Sequence, residues 1–405
     1  MIRTVQAWIP QPGSGPGRLE DVDLDVEIVD DRTVAAEGVT VAEQRPGPLF
    51  RSGSLRFDPC AGGGPLAPQE EGLQARAFGV LNATVHLQRG LRTFRRLGAP
   101  LPHLLVKVGM HAPDHWGGGH YRLPAPSYTV LEEAEPVAEA GEIHLGAGSE
   151  FLRLAGQRYF HAPAHDPAII CHELGHHLCR HTADFRLNQL RDPAAQTNHR
   201  SPIEEGTADF VAAILCDSAD IYGWHRGHVP PYEKLRRCLE TPWTMADYLG
   251  GSEKDPHADG VVWASALWAA RSTLQGQGRR AEEFDAAVVE ALVAIGRRDL
   301  DLSETVLRRR RYFSYSLEAI LESAAERGRP FAEAVAQAFA TRGIVAGVSN
   351  RRLRRRARRL RRETAEATEA AGAVEATEGV EAALAVEAAR ATAATGTGTA
   401  WAGTT

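Results

Sequence analysis

From Val22 to Ile28 apolar and acidic residues alternate strictly, the period-two pattern of a strand with one covered face. Thr33 to Val41 is rich in Val and Thr but more loosely patterned, with turn-forming Pro and Gly on either side. Residues 1–70 therefore read as a small β-rich segment. From Gln74 to Leu97 the spacing of Phe78, Leu81, Val85 and Leu91 predicts a helix with one buried face, and Leu101 to Val108 predicts a strand. Ala134 to Ala138, a turn at Glu139-Ala140-Gly141, and Ile143 to Leu145 read as a hairpin. Beyond residue 165 the pattern changes to helical period. Helices are expected from Ala168 to about His181, Pro202 to Cys216, Ala258 to Gln275, Arg280 to Ile295, Tyr315 to Arg327 and Pro330 to Thr341. The fold class is α+β, with a β-rich first half and an almost wholly α second half.

Chemistry concentrates on the first of those late helices. Asp166 is a good N-cap and Pro167 suits the first helical position, where its missing N–H costs nothing. His172 and His176 stand four residues apart, so both imidazoles project from one face and can grip one Zn²⁺. Glu173 is one step round, within reach of a water on that ion. A third ligand is needed. His181 follows His176 by five residues and lacks the metzincin spacing, so that class is discarded. In Ser201-Pro202-Ile203-Glu204-Glu205-Gly206-Thr207-Ala208-Asp209, Ser201 and Pro202 read as a second helix start. Glu205 and Asp209 then stand at i and i+4, one acid for the metal and one for the outer N–H of a ligating imidazole. Choosing Glu204 as ligand would put Ala208 in the second slot, which favours Glu205.

His-Glu-Leu-Gly-His followed 29 residues on by Glu-Gly-Thr-Ala-Asp resembles the gluzincin pattern of thermolysin-like and fungalysin-like zinc metallopeptidases. Pro256 to Trp268 resembles the fungalysin segment that supplies a late active-site histidine, here His257. Glu142-Ile143-His144-Leu145-Gly146 resembles the strand before the metal-binding helix, and residues 74–97 the early helix of those domains. The resemblance spans roughly residues 75 to 345. It implies two lobes, β-rich and helical, with zinc in the cleft between them, bound by His172, His176 and Glu205. It also implies that Glu173 is the general base, His257 an oxyanion donor and Asp209 the residue that orients His172. Either Asp255 or Asp259 would orient His257. The strand at Ala134–Ala138, through Glu135 and Val137, would be the edge that an extended peptide joins. Two departures stand out: Pro136 has no N–H for that edge, and no Tyr lies between His176 and Glu205, where the family keeps an oxyanion tyrosine.

Composition adds limits. The chain is 24% charged and 43% hydrophobic with a net charge of −6, so nothing draws it as a whole to nucleic acid or anionic lipid. No apolar run approaches a membrane span, and Met1 to Trp8 lacks the apolar region of a signal peptide, so a cytoplasmic location is expected. The five cysteines are sparse; Cys171 and Cys179 read as small buried residues. His111, His115 and His120 read as part of a solvated glycine-rich loop, because no acidic or Cys partner completes a metal spacing, and His144 as pointing out of its strand. Arg351 to Arg362 holds nine arginines; with no aromatic interleaving it reads as a solvated helix rather than a nucleic-acid arm. The expected division is 1–70, a metallopeptidase-like domain at 71–347, and an Arg-rich run with a disordered tail at 348–405. The function expected is hydrolysis of peptide bonds in a peptide or protein substrate. The alternative is a zinc-stabilised, non-catalytic peptide-binding module.

Overall fold

The structure is a computed structural model that describes residues 1–11, 17–50, 55–57, 72–124, 137–152, 158–221, 237–250 and 256–370. The strands are β1 (Ile2–Ile9), β2 (Arg18–Ile28), β3 (Thr33–Ala36), β4 (Val39–Glu43), β5 (Leu104–Met110), β6 (Gly119–Arg122), β7 (Glu142–Gly146), β8 (Ser149–Leu152) and β9 (Arg158–His161). The first seven form one mixed sheet in the order β1-β2-β3-β4-β5-β7-β6, and β8 pairs with β9. The β1–β4 ladders are antiparallel, β4–β5 and β5–β7 are parallel, and β6 runs antiparallel to β7 at the edge.

The alternation seen at Val22–Ile28 buries Leu24 and Val26, while Asp23, Asp25 and Glu27 stay exposed. Strand β1 carries a weaker signal, because its innermost residues are only Val5 and Ala7, both fully buried. Strand β4 pairs in parallel with β5, so the N-terminal strands continue the sheet of the next segment. The expected hairpin also changes. Residues 134–136 lie outside the described set, Val137 belongs to no strand, and the antiparallel partner of β7 is β6.

Helix α1 (Leu73–Arg96) packs on the sheet and against α2 (Pro167–His181). It is buried on more than the predicted face, since Asn82 and His86 are also covered. Asn82 satisfies this burial by accepting from Trp8 N (2.9 Å) and donating to the Ala164 carbonyl (2.9 Å). Then come α3 (Pro202–Cys216), α4 (Pro256–Gly276), α5 (Ala281–Gly296), α6 (Glu304–Arg309), α7 (Phe313–Ala325), α8 (Arg329–Thr341) and α9 (Asn350–Ala370). The bounds of α3, α4, α5, α7 and α8 follow the helical periodicity closely, whereas the short α6 was not expected. No helix among the described residues is long and apolar enough to cross a membrane.

The Arg-rich run departs from its expected place outside the fold. It forms α9, whose Leu353 and Ala357 are buried in the core. Asn350 accepts from Phe313 N (2.9 Å), Arg358 Nε donates to the Ala246 carbonyl (3.0 Å), and Arg361 forks onto Asp247 at 2.9 and 2.7 Å. Composition hid this because only two small apolar residues per few turns are needed to seat a helix whose stems are arginine methylenes. The arginine run thus packs on the helices before it, and the tail beyond residue 370 lies outside the described residues.

Leu353→Ala should cost about 2–5 kcal/mol of unfolding free energy, as for a fully buried leucine. Urea denaturation measures it; a change below about 0.5 kcal/mol, the scale of an indifferent surface position, would show that α9 does not dock.

Candidate metal centre

Two helix crossings bring the candidate ligands together. Helix α2 starts as its sequence dictates, with the Asp166 carboxylate accepting from Ala168 N (2.9 Å). Helix α3 starts where Ser201 and Pro202 place it, with Ser201 extended at the N-cap position, although its side chain makes no cap bond. Where α2 crosses α3, a Cβ on Gly175 would meet Ala208 Cα at 2.5 Å. Where α3 crosses α4, a Cβ on Gly206 would meet the Gly260 carbonyl oxygen at 2.3 Å. Only glycine allows backbones this close, and the approach sets the reach of the side chains either side of it.

His172 Nε2 and His176 Nε2 lie 3.2 Å apart. Glu205 Oε2 is 3.2 Å from the first and 3.4 Å from the second. Those three distances match the edges of a tetrahedron with metal–ligand bonds of about 2.0–2.1 Å, which are roughly 3.3–3.4 Å long. Glu205 Oε2 is buried and makes no hydrogen bond among the described residues, although three imidazoles surround it. Such a set of lone pairs aimed at one point fits a zinc ion better than it fits a hydrogen-bond network.

The outer nitrogens face carboxylates of their own. Asp209 Oδ1 lies 2.8 Å from His172 Nδ1, the contact expected of it, and Arg237 Nη1 approaches the same oxygen at 3.3 Å. Glu204 Oε1 lies 3.4 Å from His176 Nδ1. Sequence reading treated Glu204 only as a rejected ligand; it backs the second imidazole instead. Arg200 was also missed. Its guanidinium stands 3.7 Å from Glu204 and 3.9 Å from Glu205, and its i,i+4 spacing to Glu204 was the available signal. The long connection that delivers it is ordered by its own side chains: Asp184 accepts from Asn188 N (2.9 Å) and Gln189 N (2.7 Å).

Burial and Arg200 push the His176 imidazole toward neutrality, but the Glu205 charge and the close carboxylates of Glu204 and Glu205 outweigh them and lift it to about 9. Burial opposes ionisation of Glu205, yet the charges of His257 and His176 hold its carboxyl well below the usual range. Metal ligation requires the neutral imidazole, so the carboxylates hold a proton that an incoming ion must displace.

Glu173 is buried beside this group, and its Oε2 has no hydrogen-bond partner among the described residues. A Cβ on Gly119 of β6 would touch Glu173 Oε1 at 3.1 Å, so the edge strand runs directly past this carboxylate. His257, in the first turn of α4, places Nε2 3.1 Å from Glu205 Oε2, with its side chain 41% exposed. It neither packs into the core with Trp263 nor stands apart from the ligand group. Asp255 lies outside the described residues; Asp259 instead accepts from Leu249 N (2.6 Å) and Gly250 N (2.8 Å). Glu135 also lies outside them, and Val137 leads into the turn before β7. His181, discarded as a ligand, bonds the Ala140 carbonyl (3.0 Å). Tyr121 offers no oxyanion hydroxyl, since it donates to the Ala140 carbonyl (2.6 Å). Cys171 and Cys179 are free and buried, as expected.

No protein-family model matches the chain, and no curated protein matches it in sequence. The gluzincin resemblance therefore rests on these residues alone.

Zinc uptake by the metal-free protein at pH 7 should release protons, and apparent affinity should rise about tenfold per pH unit for each proton displaced, levelling above about pH 9. Calorimetry in buffers of different ionisation enthalpy reads this; uptake without proton release contradicts the charge balance described. Gly206→Ala should destabilise the fold by about 1–3 kcal/mol, because the added methyl meets backbone that cannot swing aside. It should also weaken zinc binding, whereas a variant with wild-type melting and affinity would show that the crossing is slack.

Proposed function

We propose that this protein is a zinc-dependent endopeptidase of the gluzincin type. The sheet with α1 and α2 forms one lobe, the helices from α3 onward form the other, and the metal sits in the cleft between them. The observation that carries the reading is the convergence of His172, His176 and Glu205 at tetrahedral spacing beside Glu173, whose buried Oε2 has no hydrogen-bond partner among the described residues. A purely structural site has no use for that second carboxylate.

When bound, zinc supplies Lewis acidity, which activates a water and polarises a carbonyl. Glu173 takes the proton of the attacking water and returns it to the leaving amine. Asp209 and Glu204, behind the two imidazoles, fix the tautomers that leave both Nε2 lone pairs facing the ion. His257, half exposed at the rim, donates to the oxyanion of the tetrahedral intermediate. The substrate strand is reassigned to β6, the edge that passes Glu173, where an extended peptide adds by β-augmentation.

One observation favours a second reading. His257 Nε2 lies at ligand-to-ligand distance from Glu205 Oε2, and a fourth protein ligand would close the site and make it structural. The cleft would then serve a non-catalytic peptide-binding module.

Glu173→Gln should keep wild-type zinc content and lose at least about a hundredfold in peptide turnover, the scale of a missing general base. Turnover at the wild-type rate overturns the mechanism; a wild-type protein that binds zinc yet cleaves no peptide library favours the module. His257→Ala should lower kcat by about two to three orders of magnitude with zinc retained. Zinc loss in that variant would make His257 a ligand.

A further inference from the structure

On the sheet face turned away from α2, a second group of histidines is assembled. Gly119 and Tyr121 of β6 face α2, since Gly119 abuts Glu173 and Tyr121 Oη reaches His177 Nδ1 at 3.2 Å. By strand alternation His120 and its cross-strand partner His144 point to the other face, together with Glu142. His144, expected only to point out of its strand, is fully buried there. His111 follows β5 directly, at the point where Met110 pairs with Gly146 and its carbonyl accepts from Ala147 N (2.8 Å). One ring nitrogen of each of His111, His120 and His144 lies within 4.8 Å of the others.

The tautomer of His144 is set by its neighbours. Glu142 Oε1 lies 2.5 Å from His144 Nε2, and an ionised carboxylate can only accept, so Nε2 carries the proton. The Nδ1 of the neutral ring then presents a lone pair, and it faces His120 Nε2 at 3.2 Å. This is the same nitrogen-to-nitrogen spacing as between His172 and His176. Glu142 thus stands behind His144 as a carboxylate stands behind a metal-bound imidazole. Lys107, across the β5–β7 ladder from His144, has its charge balanced by that carboxylate, Nζ to Oε1 2.8 Å. Trp116 shields the group, its ring 4.6 Å from His120 and 5.2 Å from His111. His111 holds a left-handed backbone (φ 51°) that a non-glycine residue adopts at a cost, which argues that its position is specified.

We propose that His111, His120 and His144 bind a second divalent transition-metal ion, of the zinc class that three imidazoles select. His111 and His120 are only partly buried, which leaves a side open for entry and for a solvent ligand. Binding draws His111 in and replaces the proton between His120 and His144. The ion then clips the 111–119 loop to the sheet. This inference stands apart from the peptidase reading, because none of its residues belongs to the first cluster.

Chelator-treated full-length protein is titrated with ZnCl₂ by equilibrium dialysis and metal analysis. Wild type should take up two equivalents, and His172→Ala/His176→Ala should retain one, isolating this site whatever the first one does. His111→Gln/His120→Gln should lose that equivalent. Glu142→Gln should keep the site but weaken it by about 10–100-fold, the usual effect of removing an outer carboxylate. Circular dichroism checks each fold; should the double variant not fold, His111→Gln alone, at the entrance, must weaken the second equivalent. A His172→Ala/His176→Ala variant that takes up no zinc, or an uptake unaffected by the His111 and His120 substitutions, overturns the proposal and leaves a His–His hydrogen bond as the whole purpose of the group.

Discussion

Everything at the candidate centre depends on how closely three helix backbones approach. Typical helix pairs stand 8–10 Å apart, at the low end only when small residues meet. Gly175 against Ala208, and Gly206 against Gly260, place α2, α3 and α4 in direct backbone contact. Each of these glycines lies within three residues of a member of the cluster: His172 and His176, Glu205, His257. An imidazole or carboxylate reaches only a few ångströms from its own backbone, so wider crossings would leave the ligand atoms unable to converge. Packing between helices and chemistry at their surface are here one constraint.

That convergence creates an electrostatic problem which the surroundings answer. Glu204, Glu205 and Asp209 are buried together on one helix, three carboxylates that would repel one another in an apolar medium. Arg200 and Arg237 stand against them, and the imidazoles take up the remainder. The acids also occupy the N-terminal half of α3, where the first turn tolerates negative charge best. In the proposed enzyme, the ion replaces a proton in this balance rather than adding charge to a neutral pocket.

The sequence made some of this legible and hid the rest for identifiable reasons. Helix extents were readable because period and caps agree: Asp166 and Pro167 announce α2, and the 3.6-residue spacing carries α5, α7 and α8. His172, His176 and Glu205 could be found by local spacing on two helices. Contacts made through the sheet could not. His120, His144 and Glu142 become neighbours only through the β6–β7 register, so no local spacing connects them. Glu204 was passed over because the residue four places after it is Ala208, whereas the rotation of about 100° between adjacent helical residues gives each acid a different nitrogen of His176. Strand β6 was equally hard to see, because its run is short and begins with glycine, although that glycine is what lets β6 pass Glu173 so closely.

The docking of α9 bears on the order in which the molecule is made. Arg358 and Arg361 hold the backbone and Asp247 of the 244–250 segment across more than a hundred residues of sequence. That same segment gives its Leu249 and Gly250 amides to Asp259, two residues after His257. During synthesis His172, His176 and Glu205 all emerge, and can meet, long before residue 361 exists. The clamp on the turn bearing His257 must wait until the ribosome has released almost the whole described chain. The arginine helix is thus the last element to reach the candidate centre: His172, His176 and Glu205 can come together first, while the third imidazole, His257, stays unsecured until α9 docks.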